Sequence, residues 1–190
     1  MRTIRIPAVL LFAIFALVAG CTGGNGGDES IDQAFIDMMV PHHESAIAMA
    51  ELALERAEHD ELRALADEII AAQSQEIAQM KAWREEWFGS DDTPSMDEMP
   101  MLPGMSMPPG HSMNGGTVDM AAEVDALRDA EPFDSSFIDA MIRHHGQAVE
   151  AAEIVLAATE REEIRGLATA VIEAQTREIE QLRDWRDEWY

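Results

Sequence analysis

The amino-acid sequence predicts an all-α fold, a four-helix bundle assembled from two homologous helical hairpins. Three observations carry this. The stretch FIDMMVPHHESAIAMAE at Phe35 recurs as FIDAMIRHHGQAVEAAE at Phe137; the offset of 102 residues runs without a gap from Phe35–Phe88 to Phe137–Tyr190, and 25 of the 54 aligned pairs are identical. Both copies space their apolar residues at helical intervals. The apolar stripe also changes direction once inside each copy, so a copy holds two helices. A lone hairpin leaves its stripe wet, whereas two hairpins bury each other.

The chain opens with a leader. Arg2 and Arg5 flank the start of Ile6–Ala19, an almost wholly apolar run that is short for a bilayer span and of signal-peptide length. Val18-Ala19-Gly20-Cys21 resembles a bacterial lipobox. That implies removal of residues 1–20, acylation of Cys21 and a membrane anchor on the extracytoplasmic side of a bacterial cell envelope. The competing reading is a plain secretory signal beside a chance cysteine. Residues 21–30, rich in Gly, read as a flexible tether. Cys21 is the single cysteine, so no disulfide can form within the chain. The net charge of −24 would become about −26 once Arg2 and Arg5 are removed. Such a chain does not seek nucleic acid or an anionic membrane surface. It attracts cations, although plain solubility is reason enough for most of the carboxylates.

The first hairpin is expected over residues 31–88. Asp32 is a good N-cap, and Ile31 with Ile36 fits a hydrophobic staple. At roughly 100° per residue, Phe35, Met39, Ala46, Ala50 and Leu54 centre on one direction. Leu62, Ala66, Ile69, Ile77, Met80 and Trp87 centre on another, roughly 130–140° away. A turn near Arg56–Asp60 lets both stripes face one core. Residues 89–132 form a Met/Pro/Gly-rich linker with helical composition over 118–130. The second hairpin is expected over residues 133–190, with Asp134 as N-cap, Phe133 and Ile138 as staple, and a capping box at Thr159–Glu162. Trp83, Trp87, Trp185 and Trp189 end the two hairpins and read as core closure.

Polar side chains recur on the buried faces. His43 falls inside the stripe of its helix and His42 on the flank, with His145 and His144 at the matching places. Gln73, Glu76 and Met80 face inward from the following helix. Buried polar groups are costly unless paired. Two readings stay open: a His/Gln/Glu hydrogen-bonding network, or a metal site. Met39 lies three and four residues before His42 and His43, so thioether and imidazole share a face; together they suit Cu(I). The linker adds a second signal. From Met96 to Met120 it reads MDEMPMLPGMSMPPGHSMNGGTVDM, with seven methionines and four prolines. Such a segment is expected to stay outside a packed core. Met99, Met101, Met105, Met107, His111 and Met113 are then candidate soft-metal donors, against the alternative of a low-complexity linker with accidental methionines.

No Glu-x-x-His, Cys-x-x-Cys-His, Ser/His/Asp or Gly-rich phosphate pattern is present. A di-iron carboxylate site, covalent haem and nucleophilic catalysis are therefore not encoded, and the chain is not expected to be an enzyme.

The patterns F-I-D-x-M-[IV]-x-H-H-x-x-A, E-[LI]-R-x-L-A and A-Q-x-x-E-I-x-Q-[ML]-x-x-W resemble the DUF305 family of exported bacterial proteins, which includes CopM-like copper binders. The resemblance covers both repeats. It implies a ferritin-like four-helix bundle, and it points to Met39, His42, His43 and Met80 in repeat one and to Met141, His144 and His145 in repeat two. The family's usual Pro41 is Arg143 in repeat two, and Met38, Met49 and Met80 become Ala140, Ala151 and Leu182. Repeat two is thus the poorer soft-metal site. The function expected is copper binding, Cu(I) preferred, for sequestration or handover in the cell envelope. The alternative is an envelope protein-interaction module whose buried His, Gln and Glu are structural.

Overall fold

Each hairpin begins with a carboxylate that serves the other hairpin. The structure, a computed structural model, describes residues 30–107 and 116–190; Cys21, His111 and Met113 lie outside them. Helix α1 spans Ile31–Arg56 and α2 Asp60–Phe88; α3 is the short Ala121–Arg128; α4 spans Phe133–Ala158 and α5 Glu162–Trp189. The N-cap of α1 is Ser30, whose Oγ accepts from the Gln33 N–H. Asp32, expected as the cap, is instead inside the helix. Its carboxylate accepts a hydrogen bond from Thr159 Oγ1 at 2.5 Å and faces Arg161 Nε at 3.3 Å. Asp134 plays the matching part from α4, which starts at Phe133, two residues earlier than an Asp134 cap would give. It accepts from the Glu58 N–H (3.0 Å), the His59 N–H (3.0 Å) and His59 Nδ1 (2.7 Å). Asp134 thus holds backbone N–H groups just before the partner hairpin's second helix, while Asp32 holds the Thr159 hydroxyl and faces Arg161 at the matching turn. Ile31 and Phe133 are already helical, so neither is a staple residue before a cap. Thr159 is no capping-box residue either: α5 starts at Glu162, and Thr159 Oγ1 accepts from the Arg161 N–H.

The result is an all-α four-helix bundle. α1 packs on α2, α4 on α5, and the two hairpins meet through α1 and α4. One apolar cluster joins Met49, Leu62, Leu65 and Ile69 to Phe133, Phe137, Ile138 and Met141, under Val124 and Leu127 of α3. The other joins Phe35, Ile36, Met39 and Met80 to Ala151, Val155, Ile164 and Val171. The early half of α1 thus meets the late half of α4 and the reverse, so the two central helices run antiparallel. Stacked indole pairs, Trp83 on Trp87 and Trp185 on Trp189, end the hairpins. Arg161 lies over Trp87 at 4.2 Å, and His59 stacks on Trp189 at 3.8 Å. Among the described residues no helix is long and apolar enough to cross a membrane.

The linker departs from expectation. A 3-10 turn at Met96–Glu98 leads into β1 (Met99–Pro100), which pairs antiparallel with β2 (Thr117–Val118), and the Met120 N–H bonds the Met96 carbonyl at 2.8 Å. These bonds satisfy the backbone, so the linker's apolar side chains can cover one end of the bundle. Met99 and Met120 are fully buried, Met96, Met101 and Met105 are partly buried against the same cluster, and Met107 is 41% exposed. Core filling therefore explains Met99, and only Met107 of the described linker methionines stands free in solvent. The short helix covers less than 118–130 because Val118 is taken into β2.

Asp134 is 2% exposed and holds three donors of the α2 start. Asp134→Ala is expected to lower stability by about 2 kcal/mol in urea unfolding, because buried N–H groups lose a charged acceptor.

Candidate metal centre

The two apolar clusters are separated by a polar layer. His42, His43, His144 and His145 occupy it with no exposed surface, together with Ser45, Gln73, Gln147 and Gln175. Consecutive histidines on a helix diverge by about 100°, and each pair splits its tasks accordingly. His43 looks to its own hairpin. Its Nε2 lies 2.8 Å from Glu76 Oε2. A carboxylate accepts, so Nε2 carries a proton, and in the neutral ring Nδ1 keeps the lone pair. That Nδ1 is buried with no hydrogen-bond partner. His42 looks across to the other hairpin, where its ring lies 3.8 Å from that of His144. Hence both members of each pair are buried, although His42 falls only on the flank of its stripe.

Ser45 Oγ ties the layer across the interface. It donates to the His42 carbonyl at 2.8 Å and lies 2.6 Å from His144 Nε2. With the serine proton so used, His144 Nε2 is the donor of the second bond. No hydrogen bond of good geometry reaches either nitrogen of His42, although a His144 backbone group lies near enough to act on it. Burial first, then the neighbouring His43 and His145, push its proton affinity well below the ordinary 6.5, and the His144 backbone offsets only part of this. His42 is a neutral imidazole.

Repeat two copies the scheme with differences. His145 Nε2 lies 2.6 Å from Glu178 Oε2, close enough for an ion pair but outside hydrogen-bonding angles. Arg143, in the place of Pro41, reaches Glu123 of α3 at 3.6 Å. Gln147 stands where repeat one has Ser45, and its Oε1 has no partner. Glu76 takes the partner role for His43; Gln73 and Gln175, the other expected partners, keep unpaired carbonyl oxygens.

The sulfur donors are unevenly shared. Met39 and His43 stand one turn apart on α1, and Glu76 and Met80 one turn apart on α2, so a thioether rung lies beside the His43–Glu76 rung. Met38, Met39, Met80, Met99 and Met120 are all fully buried in one cluster. The other cluster has only Met49 and Met141, with Leu182 where repeat one has Met80. Sequence reasoning named Met99 but placed it in a separate linker site. It also passed over Met38 and Met120 as donors, because periodicity does not say which distant segments share a cluster. Among the described residues no three His, Cys, Asp or Glu side chains gather to hold a metal by themselves. A metal beside His43 would therefore draw on thioethers, and the donor set of one basic imidazole nitrogen and nearby methionine sulfur fits a soft ion. The carboxylate on the far nitrogen is the partner that metal-binding histidines commonly have. Met101, Met105 and Met107 lie toward the surface at the Met-rich end.

A small cleft between α2 and α5 is lined by matching pairs from the two repeats: Ile69 and Val171, Ala72 and Ala174, Gln73 and Gln175, Glu76 and Glu178.

The family model described as "Domain of unknown function (DUF305)" matches residues 32–186. Solved structures are similar over most of the chain. CopM in the Cu(I)-bound form is 40% identical with a TM-score of 0.67, covering 84% of this chain and 97% of that one. CopM in the Cu(II)-bound form is 43% identical with a TM-score of 0.68 over the same shares. A DUF305 fragment from Deinococcus radiodurans is 28% identical with a TM-score of 0.65, covering 83% of this chain and 96% of that one. No curated protein matches.

The neutral His42 makes stability depend on pH. Below about 6.5 the unfolded chain binds a proton on this residue that the folded chain does not. Stability of the metal-free chain is expected to fall as pH drops through 6.5, with a contribution from His42 approaching about 1.4 kcal/mol per pH unit. Urea unfolding of the wild-type chain and of His42→Gln between pH 7.5 and 5.5 checks this: the variant shows the shallower decline.

Proposed function

The chain belongs to the DUF305 family, and we propose that it binds copper outside the cytoplasm, Cu(I) in preference to Cu(II), for sequestration or handover. The observation that carries this reading is His43. Its tautomer is fixed by Glu76, its Nδ1 lone pair is buried without a partner, and the thioethers of Met39 and Met80 lie a turn away. A purely structural network has no use for so many unsatisfied imidazole nitrogens, since each costs free energy when buried. Similarity to a protein solved in Cu(I)- and Cu(II)-bound forms supports copper as the metal. The preference for Cu(I) rests on the sulfur donors.

In this reading repeat one, with Met39, His43 and Met80 as donors and His42 beside them, is the principal site. Met141, His144 and His145 form a weaker counterpart, because Leu182 supplies no sulfur. Met101, Met105 and Met107, with His111 and Met113, are a second, outer set of soft donors. The role is binding rather than catalysis. Acylated Cys21 would hold the bundle at the extracytoplasmic face of the envelope membrane.

Anaerobic Cu(I) competition titration of residues 22–190 tests the proposal. Met39→Ala with His43→Ala is expected to weaken binding on the order of a hundredfold or more, since two direct donors go. The linker is tested by Met101→Leu, Met105→Leu and Met107→Leu together, because deleting the segment would strip Met99 and Leu102 from the core. Unchanged affinity in both variants would sink the reading and favour the interaction module. Leu182→Met changes volume little and is expected to raise the affinity of the repeat-two site.

A further inference from the structure

The inference here rests on the copper reading and concerns how the ion gets in. His43 and His145 have no exposed surface, so a cation must cross a protein wall to reach them. Glu76 and Glu178 span that wall. Their side chains are 22% and 21% exposed, yet each places an oxygen 2.8 Å and 2.6 Å, respectively, from its histidine. Both stand in the cleft between α2 and α5. Gln73 and Gln175 line the same cleft at 3% exposure, and neither Oε1 has a hydrogen-bond partner. Buried carbonyl oxygens are seldom left so, and here both repeats leave the same one. Ala72 and Ala174 keep the walls low. From solvent inward the cleft offers carboxylate and then amide carbonyl, each carboxylate reaches an imidazole behind the lining, and the anionic surface raises the local cation concentration at its mouth.

We propose that the α2–α5 cleft is the port by which a soft monovalent cation reaches and leaves the buried histidines, with Glu76 and Glu178 as the first oxygen donors and the Gln73 and Gln175 carbonyls as the next. The ion moves by ligand exchange at constant oxidation state. Water gives way to carboxylate and amide oxygen, and these give way to imidazole nitrogen and thioether sulfur.

The test separates rate from affinity, with aqueous Ag(I) as probe. Ala72→Phe with Ala174→Phe obstructs the cleft without touching a proposed donor, and Gln75→Phe with Arg177→Phe places the same bulk on exposed positions outside it. Stopped-flow ultraviolet absorption gives uptake, and an ion-selective electrode gives release and Kd. Uptake and release in the obstructed variant are expected to slow about tenfold each, with Kd within about twofold of wild type and the control at wild-type rates. Should the phenylalanines unfold the chain, Ala72→Lys with Ala174→Lys replaces them. Its uptake is expected to be slow at low salt and to recover as salt screens the added charge. Wild-type rates in the folded cleft variant, with Ag(I) still bound, would overturn the port and leave the metal site standing. A wild-type chain that binds neither Ag(I) nor Cu(I) would overturn both.

Discussion

Four imidazoles shut away from water must be satisfied by hydrogen bonds or by a ligand, and the bundle is arranged around that requirement. The layer of His42, His43, His144 and His145 divides the apolar interior into two clusters. It is held from within each hairpin by a glutamate on the second helix and across the hairpins by Ser45 and the close contact of the His42 and His144 rings. These contacts stop short of full satisfaction. Burial keeps His42 neutral, and Glu76 leaves His43 with a lone pair on Nδ1. A neutral imidazole with a fixed tautomer is ready to be a ligand.

The same twofold logic closes the ends. Asp32 and Asp134 reach across to the turns of the opposite hairpin, Asp134 to two backbone N–H groups and His59, Asp32 to the Thr159 hydroxyl and Arg161. The hairpins therefore hold each other by charged hydrogen bonds at both ends as well as by apolar burial between α1 and α4. That clamp sets the register of the central helices, and with it the distance between the paired histidines.

Symmetry is broken where chemistry differs. Repeat one has four buried thioethers of its own and two more delivered by the linker, while repeat two keeps Met141 and has Leu182, Ala140 and Ala151 in place of methionine. Arg143 and Gln147 replace Pro41 and Ser45, and Arg143 is engaged with α3. One repeat has kept a soft donor set and the other chiefly its shape.

The sequence by itself determined the two hairpins, the all-α class and the inward direction of His43, His145, Glu76 and Met39. All of these follow from helical periodicity inside one repeat and from polar identities repeated at a fixed offset. It did not determine the pairing of His42 with His144, the reach of Asp32 and Asp134 to the opposite turns, or the arrival of Met99 and Met120 beside Met39 and Met80. The linker misled, because a Pro/Gly-rich composition says nothing of a two-residue strand pair that lets it pack. These are contacts between elements far apart in the chain. A helical wheel fixes which way a side chain points, and only the docking of one helix on another decides what it meets.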